Sequence, residues 1–255
     1  MSGDRGVAAL VLAAGQGKRM GSEVAKVLLP LAGRPLVLHV LDALRPLGPQ
    51  PVLVVIGHQR EKVAAALAGA GCQTVVQDEQ LGTGHAVQVA AAALGDFDRT
   101  LLVLAGDAPL LRTETLRALL AEHRGHRAAA TVLSARVPDP SGYGRIIRGP
   151  DGDLESIVEQ RDARDDQLSI DEINSAMYAF EYPELREMLG RLARDNAQGE
   201  YYLTDTIALL RRSGRRVRAM CAPDYREVLG INTPEQLAEA EAFYAEIHGS
   251  QGRKP

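Results

Sequence analysis

At 255 residues, 45% apolar and 24% charged, the chain has an ordinary globular composition, long enough for one large α/β domain or two small lobes. A formal net charge of -4 argues against a general nucleic-acid or anionic-membrane binder, whose affinity rests on clustered excess cation. Any polyanion bound here must be met by local charge.

Strand-like and helix-like patterns alternate through the first half, as in a parallel sheet covered on both faces. Residues 7–12 read as a fully buried strand. It runs into a loop with glycines at Gly15, Gly17 and Gly21 and cations at Lys18, Arg19 and Lys26. Pro35 opens a helix whose apolar residues Leu36, Val37, Val40, Leu41 and Leu44 repeat every 3.6 residues. Residues 52–56 form the second strand, 59–67 the next helix and 73–76 a short third strand. Thr83 can cap a helix reaching Leu94.

Residues 100–104 form a fourth buried strand, ended by Gly106 and Pro109, which puts Asp107 in the turn at its carboxyl end. In open α/β sheets ligands gather at that edge, and the loop after the first strand emerges on the same side. An amphipathic helix follows over 113–123, then a strand from Ala128 to Ala135. The Pro-, Gly- and Asp-rich stretch 138–152 begins a second lobe, with 145–148 and 154–158 as hairpin arms around Pro150-Asp-Gly152. Strand 173–180, helices over 183–193 and 204–212, and strands 217–222 and 228–231 come next. Thr233-Pro234-Glu235-Gln236 then opens the last helix as a capping box, with an apolar stripe at Leu237, Ala240, Phe243 and Ile247.

Two familiar phosphate loops are excluded by spacing. A Walker A loop needs Gly-Lys-Ser/Thr, but Arg19 follows Gly17-Lys18. A dinucleotide-binding loop needs a third glycine where Met20 stands. The loop belongs to another class of nucleotide binder. Lysine is scarce, four residues against 25 arginines, so Lys18 and Lys26 look placed rather than scattered.

The stretch Leu12-Ala-Ala-Gly-x-Gly-x-Arg19, followed seven residues later by Lys26-Val-Leu, resembles the opening motif of sugar-1-phosphate nucleotidyltransferases. Further stretches follow in order: Gln80-Leu-Gly-Thr-Gly-His-Ala86, Gly142-Tyr-Gly-Arg-Ile146, Ile157-Val-Glu159-Gln, Glu172-Ile-Asn174, Asn196-Ala-Gln-Gly-Glu-Tyr-Tyr-Leu-Thr-Asp205 and Gly230-Ile-Asn232. Together, over residues 7–245, they resemble the uridylyltransferase domains of the bifunctional bacterial enzymes that make UDP-N-acetylglucosamine.

That resemblance implies a Rossmann-like (GT-A-like), mostly parallel mixed sheet with helices on both faces and a smaller sugar-binding lobe. It divides the chain into a nucleotide-binding lobe over about 1–112, a sugar-binding lobe over about 113–231, a C-terminal helix over 232–248 and a tail. It implies a Mg²⁺-dependent reaction of UTP with N-acetylglucosamine 1-phosphate. Arg19 and Lys26 would serve the phosphates, and Asp107 and Asn232 the magnesium. Leu12, Ala13, Ala14 and Gly15, with Gln77, Gly82 and Thr83, would receive the base; Gly144, Glu159 and Asn174 would hold the sugar. Taken singly, each has a plainer reading. Asp107 could be a turn residue before Pro109, Asn232 a helix cap, Thr83 an N-cap, Gln77 a polar strand end and Glu159 a solvated strand residue. His85 reads as a residue of a first helical turn rather than a base. Tyr201 and Tyr202 either wall the sugar pocket or pack in the core.

Two positions depart from the family pattern: Lys18 stands in place of a usual Thr, and Ala25 in place of a usual Pro. Losing Pro frees the backbone just before Lys26. The sequence contains nothing like the family's hexapeptide-repeat acetyltransferase region, so no acetyltransferase activity is expected, nor the trimer that region builds. A monomer or weak homo-oligomer is expected instead. Cys72 and Cys221 stand in no metal-like spacing and are expected to be buried small residues in a reduced cytoplasmic setting. No signal-peptide pattern is present, and no apolar run approaches the ~20 residues of a membrane helix. Alternatives are a nucleotidyltransferase for another NTP and sugar 1-phosphate, or a non-catalytic nucleotide-sugar binder.

Overall fold

A strand buried on both faces must be largely apolar, and the first predicted strand and the fourth beyond Thr100 are. The computed structural model, which describes residues 6–15, 17 and 24–249, places them side by side at the centre of a nine-stranded sheet. In chain order the strands are β1 (Val7–Ala13), β2 (Pro30–Leu31), β3 (Arg34–Pro35), β4 (Val52–Ile56), β5 (Gln73–Val76), β6 (Thr100–Ala105), β7 (Ala130–Arg136), β8 (Arg145–Arg148), β9 (Leu154–Val158), β10 (Glu172–Glu181) and β11 (Val217–Cys221). The helices are α1 (Leu36–Leu44), α2 (Arg60–Ala66), α3 (Thr83–Leu94), α4 (Thr113–His126), α5 (Asp165–Leu168), α6 (Tyr182–Leu189), α7 (Asp205–Arg212) and α8 (Pro234–Gly249).

Alternation of side chains across the sheet divides the core in two. Ala9, Val11, Leu102 and Leu104 face α1, α2 and α4, while Ala8, Leu10, Leu101 and Val103 face α3, α6 and α7. The architecture is therefore α/β, with helices on both faces. A third small cluster of Leu31, Leu36, Ile231 and Ala240 seats α8 against the short β2–β3 hairpin.

The strand order is β11-β7-β10-β6-β1-β4-β5, parallel except for β10, which runs antiparallel between β6 and β7. The β8–β9 hairpin attaches to the start of β10 through the pairing of Ile173 with Arg145. From β1 the chain builds β4 and β5 on one side, then returns to lay β6 on the other. The crevice between the carboxyl ends of β1 and β6 is thus the switch point at which α/β sheets bind ligands.

Several local expectations are corrected. Gly82, not Thr83, occupies the N-cap of α3, because the Thr83 hydroxyl accepts the Leu203 N–H at 3.1 Å instead. Residues 228–231 are not a strand. A short 3₁₀ turn, Tyr225–Val228, begins at Asp224, whose carboxylate accepts the Arg226 N–H at 3.0 Å, and the chain then turns inward to pair Ile231 N with Asp107 O at 2.9 Å. The helix after β10 stops at Leu189, before Gly190. Neither cysteine is fully buried: Cys72 is half-buried and Cys221 exposed, since they flank β5 and end β11, the two edges of the sheet. Only one arm of the capping box expected for α8 forms, and the Gln236 side chain reaches past Thr233 to the residue before it. Thr233 Oγ1 accepts the Gln236 N–H at 3.3 Å, and Gln236 Oε1 accepts the Asn232 N–H at 2.7 Å.

Candidate functional site

The rim of the β1–β6 crevice is held together by backbone contacts that only glycine permits. Gly106 N donates to Leu12 O at 3.0 Å, and a Cβ on Gly106 would stand 2.8 Å from that oxygen. On the other side of β1, Gly57 lies against both Ala14 and the Gln77 carbonyl, each within 3.2 Å of where its Cβ would be. The ends of β1, β4, β5 and β6 thus meet at van der Waals distance. Arg19 and Lys18 lie outside the described residues. Gly17, with φ +62°, is described, and it abuts Lys26 so closely that a Cβ would reach within 2.8 Å of Lys26 Cβ.

Lys26, Asp107 and Asn232 come together from three distant parts of the chain. Lys26 Nζ donates to Asn232 Oδ1 at 2.9 Å and forms an ion pair with Asp107 Oδ2. Both ion-pair side chains are largely sheltered, 14% and 16% exposed. Gly230 leaves room for the Asp107 carboxylate, which lies 3.1 Å from the place its Cβ would take. Asn232 Nδ2 donates back to Gly230 O at 3.0 Å, which fixes the direction of Oδ1. Asn232 is therefore not the cap of α8, whose cap is Thr233.

The Ala25 departure has a structural answer. Its backbone holds φ -53°, a value proline would impose, and its N–H, which proline would lack, donates to Gln59 Oε1 at 3.2 Å. A side-chain acceptor thus restrains the residue before Lys26.

Gln77 is 4% exposed and faces α3. Its Nε2 donates to Gly82 O at 3.2 Å and to His85 Nδ1 at 3.0 Å, leaving Oε1 as the free acceptor of the amide among the described residues. His85, in the first turn of α3, stacks on Tyr201 with ring centroids 6.3 Å apart. The Gly82–Gly84 turn is bound to residues 201–203 by Tyr201 N to Leu81 O, Gly84 N to Tyr201 O, both 2.8 Å, and by the Thr83–Leu203 contact.

Gly144, Glu159 and Asn174 form a third group. Asn174 N donates to Gly144 O at 2.8 Å, and a Gly144 Cβ would stand 3.4 Å from Glu159 Oε2. Asn174 sits at an irregularity in β10. Its Oδ1 accepts the Ala176 N–H at 3.1 Å and its Nδ2 donates to the Tyr178 hydroxyl at 2.8 Å, so the amide is oriented by the protein. Glu159 is not a solvated strand residue. It follows β9, half-buried, and accepts the Thr204 hydroxyl at 3.0 Å. Burial drives its carboxyl above the ordinary carboxylate value; the Thr204 bond opposes this, while Asp205, Asp162 and Glu200 reinforce it. Burial likewise raises Asp205. Glu159, Asp162 and Asp205 line a cavity of about 210 Å³ with Ile157, Asn196 and Tyr202. Tyr202 is thus a wall of that cavity, and Tyr201 belongs to the Gly82–His85 side. A larger, shallow depression of about 610 Å³ beside Cys221 and Arg136 is lined by none of the site residues named above.

Sequence reading gave the supporting residues Gly57, Gly106, Gly230 and Thr204 no role in the site. It also passed over Arg145, which is 2% exposed and whose guanidinium donates to Gln160 Oε1 at 2.9 Å and to Tyr143 O beside Gly144. Burial lowers the Arg145 pKa. The signal for Thr204 and Arg145 was present in the motifs that contain them; for the isolated Gly57 there was none.

Residues 9–167 match the MobA-like NTP transferase domain family. Proteins called bifunctional protein GlmU are similar over nearly the whole chain. That of Thermobifida fusca is 50% identical over 94% of this chain and 51% of its own length. That of Streptomyces coelicolor is 50% identical, with the same coverage of each. The one from Pelobacter propionicus is 49% identical over 92% of this chain and 51% of its own. The chain spans about half the length of these curated relatives. A structure of UDP-glucose pyrophosphorylase complexed with UDP-glucose shares the fold, with a TM-score of 0.75 at 18% identity, covering 95% of this chain and 99% of that one.

Proposed function

Because the chain belongs to the MobA-like NTP transferase family, we propose that it is the nucleotidyltransferase that joins UTP to N-acetylglucosamine 1-phosphate, giving UDP-N-acetylglucosamine and pyrophosphate. The observation that carries this reading is the convergence of Lys26, Asp107 and Asn232 beside the glycine loop at the β1–β6 switch point. The relatives of about 50% identity support the choice of substrates.

A sugar phosphate is already anionic at neutral pH, so its oxygen can attack the α-phosphorus without a general base. The bond to the bridging oxygen breaks, and pyrophosphate leaves with the electron pair. The protein's work is charge neutralisation and in-line alignment. Lys26 supplies a point charge to the α-phosphate, and Arg19 would brace the departing pyrophosphate. His85, with Nδ1 engaged by Gln77, is a structural partner rather than a base.

Asp107 and Asn232 present one carboxylate and one amide oxygen to a common point, the hard-donor set that suits Mg²⁺. Among the described residues no cluster of three or more His, Cys, Asp or Glu could hold a metal, so most of its octahedron would come from phosphate and water. When bound, the ion would offset phosphate charge. Gln77 Oε1 is an acceptor suited to the N3–H of uracil, which cytosine lacks. Leu12, Ala13, Ala14, Gly15, Gly82 and Thr83 complete the base side, and Gly144, Glu159 and Asn174 the sugar side. Residues 1–112 and 113–231 are the corresponding lobes.

The test is pyrophosphate release with Mg²⁺ across UTP, dTTP, CTP and GTP, each against several sugar 1-phosphates. UTP with N-acetylglucosamine 1-phosphate should be the preferred pair. Nucleotide binding without release from any pair would reject the enzyme.

A further inference from the structure

We infer that Lys26 and a divalent cation compete for the Asp107–Asn232 oxygen pair, so that metal loading releases the Lys26 ammonium toward the incoming phosphates. The inference rests on the metal reading of Asp107 and Asn232 given above. In the structure the ammonium itself spans those two oxygens, 2.9 Å from Asn232 Oδ1 and ion-paired with Asp107 Oδ2. A small hard cation draws oxygen ligands to about 2.1 Å and would place a double charge against that ammonium. Shelter from solvent leaves the repulsion poorly screened.

The oxygens have little freedom to turn away. Asn232 Nδ2 is tied to Gly230 O, Asp107 O accepts the Ile231 N–H, and Gly230 lies against the Asp107 carboxylate. Lys26 can move only at its far end, because its Cβ abuts Gly17 and its backbone belongs to a 3₁₀ turn, Lys26–Leu28. The flexible methylene stem is therefore the part that yields. Without metal, the lysine charge is neutralised by Asp107; with metal, both cations face the polyphosphate. The arrangement couples two positive charges that the reaction needs together.

The experiment measures Mn²⁺ binding to the full chain without nucleotide, by the electron paramagnetic resonance signal of free Mn²⁺. Lys26→Met should bind Mn²⁺ roughly tenfold more tightly than the unaltered protein, the scale on which one adjacent like charge shifts a cation equilibrium. Asp107→Asn should lose the site in either background. A second measurement uses the unaltered protein, whose four lysines make ¹³C-lysine spectra simple. The Lys26 ε-methylene signal, identified by its absence from Lys26→Met, should shift on Mg²⁺ addition. Equal affinity in the two proteins, no measurable binding by either, or an unmoved Lys26 signal overturns the competition. Loss of binding in Asp107→Asn alongside equal affinities would leave the metal assignment intact. Unchanged binding in Asp107→Asn would remove both.

Discussion

Gly82→Ala tests whether the nucleotide side is built on a close backbone approach. Gly82 has φ +108° and ψ 175°, a region other residues enter only at a cost of about 1–3 kcal/mol. Its Cβ would also stand 2.5 Å from Tyr201 O and 2.9 Å from Glu200 Cβ. Tyr201 is bonded through both its N–H and its carbonyl to Leu81 and Gly84, so it cannot retreat cheaply. Overpacking of this kind adds about 1–3 kcal/mol. With the two costs summing to roughly 4 kcal/mol, and about 2–4 °C lost per kcal/mol in a chain of this size, Tm should fall by roughly 8–16 °C. Gly48→Ala is the control: it has φ 61° and ψ 39° with nothing within 4 Å of its Cβ, so only the left-handed backbone cost of about 1–2 kcal/mol applies. Thermal unfolding followed by circular dichroism reads both. Because Gly82 O also receives the Gln77 amide, Gly82→Ala should weaken UTP binding at temperatures where it remains folded. A Gly82→Ala protein that melts with Gly48→Ala would refute the reasoning.

Glu159→Gln keeps an acceptor for the Thr204 hydroxyl while removing the charge that burial disfavours. The folded-state pKa lies above the ordinary 4.5, so the wild-type carboxyl favours folding below that value and loses the advantage as pH rises through the raised one. The variant should therefore melt higher than wild type at neutral pH, with the gain vanishing in acid, while the KM for sugar phosphate rises. Melting curves across pH check this, and a difference independent of pH would contradict it. Gln59→Ala should lower kcat roughly tenfold by loosening the residue before Lys26, since misplacement of about 1 Å costs on the order of a hundredfold. In an Ala25→Pro background the same change should do little, and equal losses in both backgrounds would show that Gln59 acts elsewhere.

The strands were legible where burial on both faces demands apolar runs, as in β1 and in β6 beyond Thr100, and the start of α8 was legible from Thr233 and Pro234. Competition between adjacent residues was not. Thr83 and Gly82 are both acceptable N-caps, and the choice falls to Gly82 only because Leu203, 120 positions away, takes the Thr83 hydroxyl. Residues 228–231 are apolar like a strand, yet among the described residues no strand pairs with them, and Ile231 instead bonds the turn of Asp107. At the site, residue types and motif order pointed to Lys26, Asp107 and Asn232. Spacing alone could not put the Lys26 ammonium beside the amide oxygen of Asn232, 206 positions away. Glu159 was the hardest to read, because its environment comes from Thr204, Asp205 and Asp162, which local pattern does not connect to it.

Each group of site residues joins an early segment to a late one. Asp107 is bonded through its own carbonyl to Ile231 and leans on Gly230, and the Gly82 turn rests on Tyr201 and Leu203. The residues assigned to the nucleotide are thus completed from beyond residue 200, although most of them precede residue 112. Backbone hydrogen bonds of this kind transmit small displacements directly, because neither partner has a side-chain torsion to absorb them. Closure around a sugar in the Glu159 cavity would bear on residues 200–205, which supply Tyr202 and Asp205 to that cavity, the Thr204 hydroxyl to Glu159, and Tyr201 to the Gly82 turn. If the nucleotide and the sugar phosphate bind as proposed, the segment carrying Tyr201 to Asp205 is the physical link between them, and alignment of the attacking phosphate would depend on its rigidity.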